Sequence, residues 1–292
     1  MSNSDYQHYY VPAQSQWPIV GAVALFFIAS GAGLTVMQHN SEGGNGHYLL
    51  FTGIAILLFM LVGWFRNVIS ESQSGLYSKQ MDQSFRQGMS WFIFSEVMFF
   101  LAFFGALFYA RVFSVPWLGG GSNNAMTNEV LWPTFEAIWP LLTTPGGEVT
   151  QAMEWKGLPL VNTLVLLISS VTIHFAHQAL EQDKRGQVKL FMGLTIALGI
   201  SFLALQVEEY MHAYHELGLT LQSGIYGNTF FMLTGFHGMH VTLGTILLTV
   251  VWLRIFNGHL NSKQHFAFQA AAWYWHFVDV VWLCLFVFVY VL

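Results

Sequence analysis

Charge is what this chain has least of. Asp, Glu, Lys and Arg make up 9% of its 292 residues, where a soluble domain carries about 25%. That shortfall excludes an ordinary water-soluble domain. The net charge is only −5, and no basic run is present, so nucleic acid is not an expected partner. A single cysteine, Cys284, excludes an intramolecular disulfide and a thiolate metal cluster. It lies in an apolar run and reads as a small core residue. The first sixteen residues hold no Lys or Arg, whereas a cleavable signal peptide needs a basic start and a shorter apolar core. The run 17–37 is therefore expected to be an uncleaved first membrane helix. No alternating β-barrel pattern, solenoid period or low-complexity tract is found.

What is present is apolar. Hydrophobic residues make up 54% of the chain and aromatic ones 17%, with 27 Phe and 11 Trp. Seven apolar runs emerge, at 17–37, 48–65, 89–110, 158–180, 190–207, 228–253 and 266–292. A hydrocarbon core about 30 Å thick needs roughly 20 residues of helix, and helices satisfy their own backbone polar groups within lipid. The fold class predicted is all-α, a polytopic membrane protein with seven transmembrane helices.

Basic residues set the orientation. Arg66, Lys79, Arg86, Lys184, Arg185, Lys189, Arg254 and Lys263 border the even-numbered loops, leaving only Arg111 and Lys156 opposite. The opposite loops carry Glu42, Glu129, Glu136, Glu148, Glu154, Glu208, Glu209 and Glu216. The N-terminus is expected in the cytoplasm and the C-terminus outside. The loop 111–157 is too long for a simple connector. Its Trp117, Trp132 and Trp139 suit an outer membrane interface. Its Gly119-Gly120-Gly121 is no phosphate loop, since no Lys-Ser/Thr follows. The polar stretch 71–86 is expected to form a short surface helix.

Polar groups inside the apolar runs carry the functional signal. Glu96 sits in WFIFSEVMFFLAFF, among Phe, Met, Val and Leu. A charge there is costly unless a cation or several donors reach it. It reads as a proton-exchanging, lipid-binding or packing carboxyl, or as one that only joins helices. His276 and Asp279 share a face of the last run. His174 and His177, one turn from Ser170, share a face of the fourth, and His237 and His240 a face of the sixth. This spacing is compatible with metal or haem ligation. It is equally compatible with structural hydrogen bonds between helices, or with binding of lipid headgroups. Gly235, Gly238, Gly244 and the Ala270–Ala272 triplet fit close helix packing. Arg254 and His259 flank the inner end of the sixth run, and Trp64, Arg66 and Glu71 that of the second. At headgroup depth these side chains either meet lipid phosphates or simply anchor the interface. Three functions stay open on the residues alone: a cofactor-free accessory subunit, a haem-bearing redox subunit, and a stand-alone proton channel or transporter.

Six stretches carry a family resemblance: WFRNVISE (64–71), SEVMFF (95–100), PLVNTLVLL (159–167), GIYGNTFF (224–231), TGFHGMH (234–240) and AAAWYWHFVDVVW (270–282). They cover the second helix to the last, and the chain resembles subunit III of the aa3-type haem–copper oxidases. The resemblance implies two helices (residues 1–72, with the polar N-terminal segment) beside a five-helix bundle (residues 73–292), arranged around a lipid cleft. It implies no catalytic centre and no metal in this chain, with haem and copper in partner subunits. The implied function is that of an accessory subunit of a proton-pumping cytochrome c oxidase. It stabilises the catalytic subunit, supports proton uptake and binds structural phospholipid. Subunit I is the implied direct partner, with subunit II and cytochrome c in the complex, in a bacterial-type cytoplasmic membrane. Glu96 is similar to the family's carbodiimide-reactive carboxyl. Trp64, Arg66, Glu71, Glu96, His240, Arg254 and His259 form the implied lipid-binding set, and His174, His177, His237, His276 and Asp279 are structural polar groups. Asn67, Ser70, Gln178, Asn257 and Gln269 depart from the family pattern, each with loss of a charged or titratable group.

Overall fold

The computed structural model describes residues 10–12, 14–38, 44–262 and 264–292. Lys263 and Glu42, counted above for orientation, lie outside the described residues, as do residues 1–9 and 13 of the polar N-terminal segment. The described chain is helical: α1 (Trp17–Met37), α2 (Gly46–Gln73), α3 (Lys79–Tyr109), α4 (Val115–Leu118), α5 (Ala125–Leu131), α6 (Leu158–Glu181), α7 (Arg185–His215), α8 (Ile225–Phe256) and α9 (Phe266–Leu285). π-helical turns extend α3 through Ala110–Ser114 and α9 through Phe286–Val291. The only β pairing among the described residues is one bridge between Thr143 and Val149. Seven of the helices are long and apolar enough to cross a membrane. This is a multi-pass all-α membrane protein, as the apolar runs predict.

Several helices outrun their apolar cores. The helices α3 and α7 each have 31 residues, about 46 Å at 1.5 Å per residue. Their ends therefore stand clear of a ~30 Å hydrocarbon layer. The expected surface helix at 71–86 does not exist as a separate element. Its start is the last turn of α2 and its end the first turns of α3, with the break at 74–78. Polar sequence there reflects helix projecting beyond the apolar zone.

Three of these helices end with the same device. After α8, Gly258 takes the left-handed conformation (φ 72°). Its N–H donates to the Ile255 carbonyl at 3.1 Å, and the His259 N–H to the Arg254 carbonyl at 3.0 Å. This is a Schellman cap, which satisfies carbonyls that the helix cannot. Asp183 (φ 54°) does the same after α6, with Lys184 N–H on Ala179 O at 2.9 Å. Gly75 does so after α2, with Leu76 N–H on Glu71 O at 3.3 Å. The caps fix the chain direction at the ends that hold Glu71, Glu181 and Arg254.

The chain divides into two compact units, Met1–Phe85 and Arg86–Leu292. In the first, α1 and α2 form a close hairpin. A Cβ at Gly31 would fall on the Leu50 backbone nitrogen, and one at Gly53 would lie 2.6 Å from that of Ile28. In the second unit α9 is the central helix: 56% of its apolar window is buried, against 11% for α3. Trp275 and Trp282 of α9 are fully buried with Phe202, Phe230 and Phe268. Their indole N–H groups donate to Ser169 Oγ and Thr163 Oγ1 of α6, both at 2.9 Å. The loop 111–157 packs on the same unit through buried Val115, Leu141 and Met153. The Met153 N–H donates to Tyr226 Oη at 3.4 Å, and that of Gln151 to the Leu217 carbonyl at 3.1 Å.

Candidate functional site

Helix α3 brings Glu96 to α8, where Glu96 Oε2 lies 2.8 Å from His240 Nε2. The imidazole is 6% exposed and the carboxyl 22%. The other ring nitrogen, Nδ1, is 2.6 Å from the Phe236 carbonyl, an acceptor only, so Nδ1 carries a hydrogen and donates it. One further proton is then shared between Nε2 and Oε2, as imidazolium–carboxylate or as imidazole–carboxylic acid. The rings of Phe99, Phe100 and Tyr274 surround the imidazole, with centroids 5.8, 4.9 and 6.5 Å away. Aromatic walls keep water from competing for the bond. The partner that lets a carboxyl sit among phenylalanines is thus a histidine 144 positions away in sequence.

The histidine pairs of the sequence do not act as pairs. His237, fully buried, donates from Nε2 to the Val278 carbonyl at 3.2 Å and lies between the rings of Phe202 and Trp282. It joins α8 to α9, while His240 turns to α3. On α6, His174 shares a hydrogen bond with Gln178 (2.9 Å). His177 instead faces Glu181 (3.7 Å) and the His265 ring (5.6 Å). Spacing put each pair on one face, but neighbouring helices separate their roles. His276 and Asp279 do come together, at 3.8 Å. Ser170 Oγ closes this cluster from α6, 2.7 Å from His276 Nδ1.

Arg254 and His259 share the capped end of α8. Arg254 Nε and His259 Nδ1 are both buried without a hydrogen-bond partner among the described residues. In the first unit, Trp64 is 47% exposed and stacks on Phe65 with ring centroids 5.6 Å apart. Arg66 is exposed. Glu71 Oε2 accepts the Tyr77 hydroxyl at 2.8 Å. Burial pushes the Tyr77 phenol well up, and the adjoining Glu71 carboxylate pushes it further. That hydrogen bond ties the end of α2 to the break before α3.

Two acids expected in an outer loop, Glu208 and Glu209, lie on α7. Glu209 was expected in an outer loop, but α7 continues to His215 and Glu209 is fully buried. Its Oε1 accepts the Tyr290 hydroxyl at 2.6 Å. The signal was available in the one-turn spacing of Gln206, Glu209 and Ala213, all buried on one face.

A family model described as Cytochrome c oxidase subunit III matches residues 7–292. The chain belongs to this family. It is 40% identical to cytochrome c oxidase subunit 3 of Squalus acanthias, over 97% of this chain and 96% of the relative. The corresponding proteins of Danio rerio and Cyprinus carpio are 39% and 38% identical over the same shares. As a member of the subunit III family, the chain is a subunit of a cytochrome c oxidase complex and assembles with other oxidase subunits. The Glu96–His240 bridge and the Ser170–His276–Asp279 cluster are among the polar groups carried by its membrane-length helices.

Proposed function

We propose that this chain is a cofactor-free accessory subunit of a proton-pumping cytochrome c oxidase. It adds a membrane surface that stabilises the catalytic subunit I, supports proton uptake and binds structural phospholipid. Subunit II and cytochrome c act in the same complex, and haem and copper belong to the partner subunits. The observation that carries this reading is the Glu96–His240 bridge: the carboxyl and both imidazole nitrogens are engaged with protein groups. Such a bridge holds a proton within the membrane and leaves no nitrogen of His240 for an iron. His237 Nε2 and His174 Nε2 are also engaged, while His237 Nδ1 is buried without a partner among the described residues. These hydrogen bonds favour a structural role for His174, His237 and His276, and we assign the same role to Asp279, whose carboxylate lies 3.8 Å from His276.

Lipid binding falls to Trp64, Arg66 and Glu71 on one unit and to Glu96, His240, Arg254 and His259 on the other. The buried, unpartnered donors of Arg254 and His259 suit the phosphate oxygens of a headgroup. The basic residues of the even-numbered loops support a cytoplasmic N-terminus in a bacterial-type membrane.

The test is purification through an affinity tag on this chain from the native membrane. It should bring down subunits I and II, with all haem assigned to subunit I. Oxidase depleted of the chain should keep its initial rate but lose activity sooner during turnover. A Soret band following the isolated polypeptide would make it a redox subunit. A chain that purifies without any haem protein would make it a free-standing channel.

A further inference from the structure

The end of α6, the loop after α8 and the first turn of α9 meet at His177, Glu181, His265 and Gln269. We propose that His177, Glu181 and His265 form a site for a borderline divalent transition ion, Zn2+ in chemical class. One donor atom from each lies within 4.8 Å of the other two. Tetrahedral zinc, with ligands at about 2.0–2.1 Å, needs donors about 3.4 Å apart. The carboxylate of Glu181 is 55% exposed and only 3.7 Å from His177 Nε2, so a rotamer change of Glu181 supplies much of the contraction.

The protonation pattern is suited to a metal. His265 Nδ1 lies 3.1 Å from the Asn261 carbonyl, which can only accept. Nδ1 therefore carries the hydrogen, and Nε2 offers its lone pair inward. A backbone carbonyl behind the ring is the usual orienting partner of a ligating histidine. The Gln269 amide donates to that lone pair at 3.1 Å. His177 is held in plane by stacking on Phe268, with centroids 5.4 Å apart at 23°.

Two buried atoms here are orphans. His177 Nε2 and Gln269 Oε1 have no hydrogen-bond partner among the described residues, and buried polar atoms left that way are uncommon. An ion would take up the lone pair of His177. Rotation of the Gln269 amide would turn Oε1 toward the ion, or toward a water on it. Two imidazoles exclude the hard ions Mg2+ and Ca2+, which require oxygen ligands. The exposure of Glu181 leaves one side open, so the ion is exchangeable. It would staple the close of α6 to the start of α9, independently of the lipid-binding role.

The test uses the assembled oxidase, stripped with a chelator and dialysed against radioactive zinc. Wild type should bind one exchangeable equivalent that His177→Gln and His265→Gln both lose. Gln178→Ala, beside the site, should keep it. X-ray absorption, as wild type minus variant, should show only nitrogen and oxygen neighbours with imidazole scattering. Gln269→Glu puts a second carboxylate beside His265 and should tighten the site by about tenfold. This gain guards against variants that lose zinc by misfolding. Equal zinc content and affinity in wild type, His177→Gln and His265→Gln would overturn the proposal. So would displacement of the zinc by a thousandfold excess of Mg2+.

Discussion

Tyr290, in the last turn of the chain, donates its hydroxyl hydrogen to Glu209 of α7 at 2.6 Å, with both side chains buried. Glu209 Oε2 has no hydrogen-bond partner among the described residues, so the tyrosine is what makes this carboxyl tolerable. Removing one member of a buried hydrogen bond leaves the other with its full desolvation cost, about 1–3 kcal/mol. Tyr290→Phe should therefore lower the stability of the assembled subunit by that amount. Glu209→Gln should cost less, because its amide oxygen still accepts the phenol. Thermal release of this chain from the purified complex reads both. A Tyr290→Phe variant as resistant as wild type, beside a fragile Glu209→Gln, would reverse the assignment.

Glycines on α7 and α8 differ in what they permit. A Cβ on Gly199 would lie 2.7 Å from Trp275 Cη2, and one on Gly244 3.0 Å from its Cε3. Around Gly238 nothing lies within 4 Å. Gly199→Val must displace the fully buried indole and its bond to Ser169. Overpacking of this kind typically costs about 1–3 kcal/mol. Gly238→Ala should be silent. The amount of oxidase recovered through a tag on this chain should fall for the first and hold for the second. Equal yields would mean that the indole can move aside at no cost.

The fold was legible because each helix declares itself by its own composition. The run 17–37 coincides with α1, and the other six cores lie where apolar residues cluster. The ends were not legible where polar sequence continues helical. The turns Glu71 to Gln73 and Lys79 to Arg86 read as a separate surface helix, and Glu208 to His215 as loop, because hydropathy reports the lipid, not the helix. The site was legible only as an inventory. Glu96, His240 and His276 stand out as polar groups in apolar runs, but a pairing across 144 residues has no signature in one sequence. Nor does spacing reveal that His237 and His240, one turn apart, face different helices. The family motifs identified what the residues belong to; helix packing decided which of them meet.

The proton shared by Glu96 and His240 makes a chemical prediction. Carbodiimides activate carboxyls that lie within reach of an apolar reagent, and Glu96 is partly exposed beside aromatic rings. Glu96→Gln should abolish labelling of this chain while the complex still assembles, since the amide N–H can donate to the Nε2 lone pair. His240→Leu leaves the carboxyl in place, so labelling should persist at Glu96. Mass spectrometry of the labelled peptide locates the adduct. Undiminished labelling in Glu96→Gln would show that another carboxyl is the reactive one.

The end of α8 gives the last prediction. The Schellman cap directs the His259 N–H to the Arg254 carbonyl, which brings the two side chains to one turn at the helix C-terminus. A cation there is favoured by the helix dipole. Arg254 Nε is a buried, unpartnered donor, and His259 Nδ1 beside it is also unpartnered, a second donor to an anion in the ring state that carries its hydrogen there. A phosphodiester has the acceptors to meet both, and guanidinium binds it in a forked geometry that an ammonium cannot copy. Arg254→Ala should remove about one anionic phospholipid per complex after stringent delipidation, counted by mass spectrometry. Arg254→Lys should retain it only partly, because charge remains and the fork does not. Arg66→Ala should lower the count in the same way if its exposed guanidinium meets a headgroup. An unchanged lipid inventory in Arg254→Ala would place the headgroup elsewhere and leave Arg254 as an interface anchor.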